Sequence, residues 1–343
     1  MQISTIGIDL AKNVFQIHGV DAHGKVVVVR QLRRRQVIEF FGKLPACLVG
    51  MEACATSHHW ARELAKLGHE VKLIPPAYVK AYVKRSKNDA ADAAAICEAV
   101  TRPSMRFVPV KTEQQQAALA VHRTRDLMIG QRTQLINALR AHLAELGLVA
   151  DQGRDGVAKL VAIVIDEKNL SSLPAAMRQA LPVVAAQLTS LQAQIGELDR
   201  CIHSYHRESD VSRRLESVPG IGVIGATAIT ATVTEPSAFR SGRDLAAWIG
   251  LVPRQNSTGG KAKLGGISKQ GDPYLRRLLV VGATSLLRQA RLHPNKYPWI
   301  AKLLAKKPAK LVAVAVANKT ARVAWAIMSK GGTYRPPALA ATA

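Results

Sequence analysis

The order of predicted strands and helices in the first hundred residues constrains the fold more than any other feature of this sequence. Three strands come first, the last two joined by a hairpin turn at 23–25, and helices then alternate with strands. The predicted strands lie within residues 2–19 (two strands), 26–31, 47–52 and 71–74, and the predicted helices are 37–44 and 58–68. This order predicts a mixed α/β domain.

Two carboxylates lie in or at the end of these strands. Asp9 falls between Ile8 and Leu10, where a strand buried in a sheet would carry an apolar side chain. Glu52 ends the strand 47–52. Buried carboxylates are costly without a cation or hydrogen-bond donors, and the ends of strands are where α/β sheets place their sites.

Two further carboxylates lie in the run K-N-D-A-A-D-A-A-A-I-C-E at 87–98, whose alanines favour a helix. Asp89 and Asp92 are three residues apart, so they would lie on one face of that helix and repel each other unless a cation lies between them. Two interpretations remain open here. The acids either offset the helix dipole at the N-terminus, or they bind a divalent metal.

The positions of all four acids favour the metal interpretation. Asp9, Glu52, Asp89 and Asp92 could converge to hold one or two Mg²⁺ or Mn²⁺ ions, because ligands that are all oxygen suit hard cations. Two such ions can activate water and stabilise the leaving oxygen of a phosphodiester.

The charge of the chain predicts a polyanionic partner. The 343 residues contain 48 Lys and Arg against 24 Asp and Glu, a formal net charge of +24, and the basic residues are spread along the whole length. Nucleic acid is the usual partner of such a chain.

Cysteines and apolar runs indicate the compartment. The four cysteines have no metal-type spacing, which predicts buried thiols in a reducing cytosol. The N-terminal residues have no signal-peptide pattern, and no apolar run is expected to reach the length of a membrane span. We therefore expect a soluble cytoplasmic protein without membrane contacts.

The middle of the chain predicts long helices at 112–146, 158–165 and 182–216. They indicate a helical spacer, either an ordinary helical subdomain or a coiled-coil dimerisation arm. The basic positions of the first helix, on either a solvated or a nucleic-acid-facing surface, are His122, Arg123, Arg125, Arg132 and Arg140.

The last third predicts a mostly helical domain with two glycine-rich segments. The first, V-P-G-I-G within 217–229, is typical of a helix-hairpin-helix that binds a phosphate backbone. The second, 254–272, is a flexible, basic, hydroxyl-bearing loop that cannot belong to a core. Helices are predicted at 240–253, with Trp248 and Leu251 in the core, and at 274–279, 283–291, 297–305 and 311–328, before a disordered tail at 331–343.

Three motifs carry a family resemblance: G-I-D-L-A-K at 7–12, G-M-E-A at 50–53 and K-N-D-A-A-D-A at 87–93. They resemble the DEDD motif of RuvC-like, ribonuclease-H-like domains. More specifically, they resemble the insertion sequence 110 family of transposases (1111 subgroup) and the related Piv-type DNA invertases. The resemblance implies a RuvC-like catalytic domain at 1–110, a helical coiled-coil spacer at 111–212 and a C-terminal transposase domain at 213–343.

The same resemblance implies a mechanism. Asp9, Glu52, Asp89 and Asp92 would bind the metal, and a serine would attack DNA to form a phosphoserine link. By position that serine is Ser257 in N-S-T-G-G, with its neighbour Thr258 or Ser268 in G-I-S-K as alternatives.

The partners are implied in the same way. The enzyme would recombine double-stranded donor and target DNA, guided by a bridge RNA that pairs with both. It would act as a homodimer or homotetramer, and the two halves of an active site could come from different protomers.

Two other functions remain open from the residues. A RuvC-like nuclease or junction resolvase would need the four acids but no serine loop. A structural nucleic-acid-binding protein would use the acids as helix caps, which the position of Asp9 within a strand argues against.

Overall fold

The computed structural model describes residues 2–84 and 88–336, which form two compact units, Met1–Glu113 and Gln114–Ala343. The division into domains at 1–110, 111–212 and 213–343 stays a prediction. Lys87 of the acidic run and residues 337–343 of the predicted tail lie outside the described residues.

The first unit is built on a five-stranded sheet, as the predicted mixed α/β order requires. Its strands are β1 (Thr5–Leu10), β2 (Val14–Val20), β3 (Val26–Arg33), β4 (Leu48–Glu52) and β5 (Glu70–Ile74). Its helices are α1 (Val37–Gly42), α2 (Ser57–Lys66), α3 (Pro76–Val79) and α4 (Asp89–Val100). The spatial order is β3-β2-β1-β4-β5. The first three strands are antiparallel to one another, while β1, β4 and β5 run parallel.

Strand alternation gives the two faces of this sheet different partners. On one face, Ile6 and Ile8 belong to a buried cluster that includes Trp60 and Leu64 of α2. On the other face, α4 covers β1 and β4, where both strands carry a glycine.

The second unit is largely helical. Its helices are α5 (Glu113–Ala144), α6 (Arg154–Ile165), α7 (Glu167–Ser171), α8 (Ala175–Glu208), α9 (Asp210–Glu216), α10 (Val223–Thr232), α11 (Gly242–Ile249), α12 (Pro273–Leu292), α13 (Pro298–Leu304) and α14 (Ala309–Lys330). One buried cluster joins α5, α6 and α8, and a second, larger one spans α9 to α14.

The prediction of one helix at 182–216 is wrong at its start, and the structure interrupts this helix toward its end. Helix α8 begins at Ala175 and ends at Glu208, and α9 starts after Ser209, whose side chain caps it by accepting from the Ser212 N–H at 3.2 Å. Pro182 therefore lies inside α8. Leu181 is fully buried beside it, so packing offsets the hydrogen bond that proline cannot donate.

The predicted helix at 240–253 ends early, at Ile249. Gly250 takes a φ of 83°, a left-handed conformation that terminates α11. Leu251 is buried as predicted, but Trp248 is 40% exposed. The rings of Trp248 and Phe239 pack edge to face, with their centroids 5.6 Å apart.

The segment expected to be a flexible loop contains a small β-hairpin. Strands β6 (Pro253–Gln255) and β7 (Leu264–Ile267) pair antiparallel. Glycines 259 and 260, both with positive φ, lie in the turn between them. Every residue from 254 to 266 is exposed, so the hairpin adds nothing to a core, as the composition predicted.

Two compartment predictions also need correction. Helix α14 is long and apolar enough to cross a membrane by length and composition, contrary to the expectation from the sequence. It is a core helix, because Val312, Val316 and Ile327 are buried in the large cluster. Of the four free cysteines, Cys47 and Cys97 are buried as predicted, whereas Cys54 and Cys201 are exposed.

Candidate active site

Asp9 and Glu52 lie at the carboxyl ends of neighbouring parallel strands. Strands β1 and β4 are in register from Thr5↔Leu48 to Ile8↔Met51, so Asp9 and Glu52 are the next residues along that register. Asp9 is two residues after Gly7, and Glu52 is two residues after Gly50. Both side chains therefore point to the face that α4 covers.

Helix α4 approaches this face closely because of the two glycines. A Cβ on Gly7 would lie 2.2 Å from the carbonyl oxygen of Ala93, and one on Gly50 would lie 2.8 Å from the Cβ of Val100. A side chain at either position would push the helix off the sheet.

The first turn of α4 carries Asp89 and Asp92. Ala93 and Cys97, later in the same helix, both lie over Gly7, and the Cys97 thiol lies 3.7 Å from the Thr5 carbonyl oxygen. These contacts fix how α4 packs on β1, and the approach of Asp89 and Asp92 to the two strand carboxylates stays a prediction.

The charges of the two strand carboxylates reach the same neighbouring thiol, that of Cys54. Although Cys54 is exposed as a residue, partial desolvation of its thiol raises the thiol pKa, and the charges of Glu52 and Asp9 raise that pKa further. Asp9, Glu52 and Asp92 are half-buried and Asp89 is exposed. Over residues 2–84 and 88–336, no three acidic, histidine or cysteine side chains are gathered closely enough to hold a metal ion.

The cap of α4 bears on the alternative interpretation of its acids. Asn88 is the capping residue, and its side-chain oxygen accepts from the Ala91 N–H at 2.8 Å. The hydrogen-bonding cap therefore uses neither Asp89 nor Asp92. Their remaining structural role is to offset the helix dipole.

Ser257 lies in the exposed hairpin between β6 and β7. Its hydroxyl oxygen accepts from the Gln255 side-chain amide at 3.1 Å. The neighbouring Thr258 forms a backbone bridge to Lys261. Ser268 lies at the base, half-buried, where its N–H donates to the Val252 carbonyl at 2.8 Å. Of the two serines, Ser257 presents the more exposed hydroxyl, amid the cationic side chains of this hairpin.

The predicted basic surface of α5 is only partly present. Arg125 pairs with Asp199 at 2.5 Å, and Arg140 donates to the Asp151 carbonyl at 2.7 Å. His122, expected at the surface, is buried. Arg123 is exposed and remains available for a partner.

His122 is instead the centre of a buried network. Its Nδ1 lies 3.0 Å from the Tyr274 hydroxyl and its Nε2 lies 3.1 Å from the Thr227 hydroxyl. Burial, with a smaller effect of Arg125, lowers the pKa of His122 to about 4, so the ring is neutral at pH 7. Its partners lie 105 and 152 residues away in the chain, which no local pattern could have indicated.

The glycines of the predicted helix-hairpin-helix serve packing as well. Gly220 takes a φ of 86° between α9 and α10. A Cβ on Gly282 of α12 would lie 1.9 Å from the Gly220 carbonyl oxygen. The turn therefore fits tightly against α12, and its binding of nucleic acid stays a prediction.

Comparison with known proteins identifies relatives along nearly the whole chain. A DEDD transposase model of the IS110 type matches residues 6–147, and a model described as "Transposase IS116/IS110/IS902 family" matches residues 212–298. A protein of Pseudomonas aeruginosa named "Probable family 20 transposase" is 50% identical over 338 residues, covering 98% of this chain and all of the relative.

Two further relatives are named for insertion sequences. The IS1328 transposase of Yersinia enterocolitica is 40% identical and covers 97% of this chain and 98% of its own length. The IS1111A transposase of Coxiella burnetii is 37% identical, with coverage of 97% and 92%. A DEDD transposase domain suggests dependence on a divalent metal.

Proposed function

The chain belongs to the IS116/IS110/IS902 family of insertion sequence transposases, and we propose that it exchanges DNA strands through a metal-binding DEDD site and a serine nucleophile. The observation that carries this proposal is that Asp9 and Glu52 follow neighbouring parallel strands on the sheet face that α4 covers. A site of four carboxylates with oxygen ligands alone fits Mg²⁺ or Mn²⁺.

We further propose that the first unit has a RuvC-like, ribonuclease-H-like fold. Its support is the sheet order, with three antiparallel strands followed by two parallel ones, and carboxylates on β1, on β4 and at the start of α4. In this fold the central strand and its parallel neighbour hold Asp9 and Glu52, and the helix brings Asp89 and Asp92 from above.

The carboxylates have a defined role in this proposal. Asp9, Glu52, Asp89 and Asp92 would hold the metal through their oxygens, and the glycine contacts of α4 would limit how far the helical pair can move from the strand pair. A bound divalent ion supplies the positive charge that polarises the scissile phosphate. Glycines 7 and 50 are therefore positioning residues of the site.

The serine acts on the phosphate. The Ser257 hydroxyl attacks phosphorus, loses its proton, and forms a phosphoserine ester while the departing strand leaves as a hydroxyl end. Arg254, Lys261 and Lys263 on the same exposed hairpin neutralise the phosphate charges. A poor nucleophile such as serine needs this polarised environment.

The remaining partners are nucleic acids and further copies of the chain. A net charge of +24 suits a protein that binds donor and target DNA together with a bridge RNA that selects both by base pairing. The turn between α9 and α10 would contact backbone phosphates as a helix-hairpin-helix. A homodimer or homotetramer in the bacterial cytoplasm would supply two sets of active-site residues.

The test is recombination between donor and target plasmids that carry the element's ends and its adjacent non-coding DNA. Wild type is compared with Asp9→Asn, Ser257→Ala and the matched control Ser268→Ala, and adducts are trapped on a denaturing gel. We expect Asp9→Asn and Ser257→Ala each to lose both the recombination product and the protein–DNA adduct, and Ser268→Ala to keep both.

Two outcomes would contradict parts of the proposal. Normal recombination by Asp9→Asn would remove Asp9 from the site. Cleavage by Ser257→Ala without an adduct would indicate a metal-only reaction, as in a RuvC-like nuclease or junction resolvase.

A further inference from the structure

A cavity of about 720 Å³ opens beside α14 in the second unit, and none of the site residues proposed above lines it. Its lining includes Trp299 of α13, Lys319 and Arg322 of α14, and Arg243 of α11. We call it the α14 cavity. Its volume is in the range of pockets that bind small molecules or parts of larger ones.

The walls of the α14 cavity are built by close contacts. A Cβ on Gly242, at the start of α11, would lie 2.8 Å from the Arg322 carbonyl oxygen, so the two helices touch backbone to backbone. The indole N–H of Trp325 donates to the Pro236 carbonyl at 3.0 Å, and the Asn318 amide donates to the Leu251 carbonyl at 3.2 Å. These bonds tie α14 to the segments on both sides of α11.

The charge of the cavity is positive. Arg243, Lys319 and Arg322 are exposed at its lining, and no described lining residue is a carboxylate. The nearby Asp244 lies outside the lining and pairs with Arg240 at 3.3 Å. Clustered cations without acids favour an anionic ligand.

The exposed ring of Trp299 indicates which kind of anion the cavity binds. Trp299 is 40% exposed, and the Lys319 ammonium lies 4.2 Å from the centroid of its ring. A free phosphate would gain nothing from an exposed indole. A nucleotide uses both the ring and the cationic side chains, because its base stacks on the indole while its phosphates contact the cations.

We propose that the α14 cavity binds one unpaired nucleotide of a nucleic acid strand. The base stacks on Trp299, and the adjoining phosphates contact Lys319, Arg322 and Arg243. This inference depends on the proposed function only in taking nucleic acid as the partner. RNA and displaced DNA both present a base and phosphates, and the test separates these two sources of the strand.

The test measures binding of the full chain to fluorescein-labelled 12-nucleotide probes by fluorescence anisotropy. The probes are a single-stranded oligoribonucleotide, the oligodeoxyribonucleotide of the same sequence, and its DNA duplex. We expect Trp299→Ala to weaken binding of at least one single strand by roughly 5- to 100-fold, the range for one lost stacked base, and of the duplex by less than about 2-fold. The more affected strand identifies the source.

A matched control is available in the same unit. Trp248 is also 40% exposed but does not line the cavity, so Trp248→Ala should bind both single strands like wild type. Arg322→Gln changes only an exposed side chain and should weaken single-strand binding and flatten its salt dependence. It provides an independent test if Trp299→Ala fails to fold by circular dichroism.

The inference is overturned if Trp299→Ala and Arg322→Gln both bind single strands like wild type, or if Trp299→Ala loses duplex binding equally. Recombination by wild type tests the proposed function separately. Recombination with unaltered oligonucleotide binding in the variants would reject only the cavity, and Trp299-dependent binding without recombination would reject only the transposase mechanism.

Discussion

Acidification should destabilise the second unit through His122. The ring is 1% exposed, and its two nitrogens are satisfied by the hydroxyls of Tyr274 and Thr227. The Thr227 hydroxyl lies 2.8 Å from the Val223 carbonyl and donates to it, so it accepts from the Nε2–H of the ring. The Nδ1 lone pair then accepts from Tyr274, and this arrangement is complete only in the neutral state.

The magnitude follows from the lowered pKa. Folding shifts the pKa of His122 from 6.5 to about 4. Above pH 6.5 neither folded nor unfolded chain binds this proton, and the full stability is present. Between pH 6.5 and 4 only the unfolded chain binds it, so the free energy of unfolding falls, by about 2 kcal/mol at pH 5 and roughly 3 kcal/mol in total. Below pH 4 the residue adds no further loss.

The assay is urea unfolding at pH 7 and pH 5, followed by tryptophan fluorescence. Carboxylates also titrate over this range, so the informative quantity is the difference between variants. His122→Gln keeps a polar side chain but cannot titrate, and it should lose about 2 kcal/mol less than wild type between the two pH values. His142, exposed on the same helix, provides the control, and His142→Gln should follow wild type. Equal losses for His122→Gln and wild type would refute the assignment of His122 as the buried neutral group.

The remaining predictions concern the first unit. Gly7→Ala should lower the free energy of unfolding by about 1–3 kcal/mol or more, because the added methyl group would lie 2.2 Å from the Ala93 carbonyl oxygen. The control Gly42→Ala has open space around it and should change thermal stability little. Equal effects of the two substitutions would contradict the close approach of α4. Millimolar Mg²⁺ should raise the Tm of wild type and of Glu39→Gln, an exposed acid outside the site, but not that of Asp9→Asn. A shift that survives in Asp9→Asn would place the bound metal elsewhere.

The strands and the positions of the acids could be predicted from local patterns. The strands β1 to β3, the hairpin turn at 23–25 and the alanine-rich helix α4 are each encoded within a few residues. Since parallel strands end together, the approach of Asp9 to Glu52 followed from the order of elements alone.

What could not be predicted depends on residues far away in the chain. His122 looks like one more basic position on a polar helix until Thr227 and Tyr274 meet it. Pro182 looks like a helix start because the burial of Leu181, which offsets its missing hydrogen bond, involves the distant α5 and α6. The α14 cavity could not be predicted from local patterns either, because its lining residues Arg243 and Trp299 are 56 residues apart in the sequence.

The hairpin of β6 and β7 has a consequence for the timing of the reaction. A two-stranded ribbon with exposed residues from 254 to 266 is marginally stable in water, so its amide protons should exchange with solvent far faster than those of α12. Ser257, the proposed nucleophile, would have many orientations on such a ribbon before DNA arrives. Ordering it then consumes part of the binding energy, which lowers affinity but ties the reactive geometry to the assembled complex. A chain that meets stray phosphodiesters without its correct partners would leave them intact.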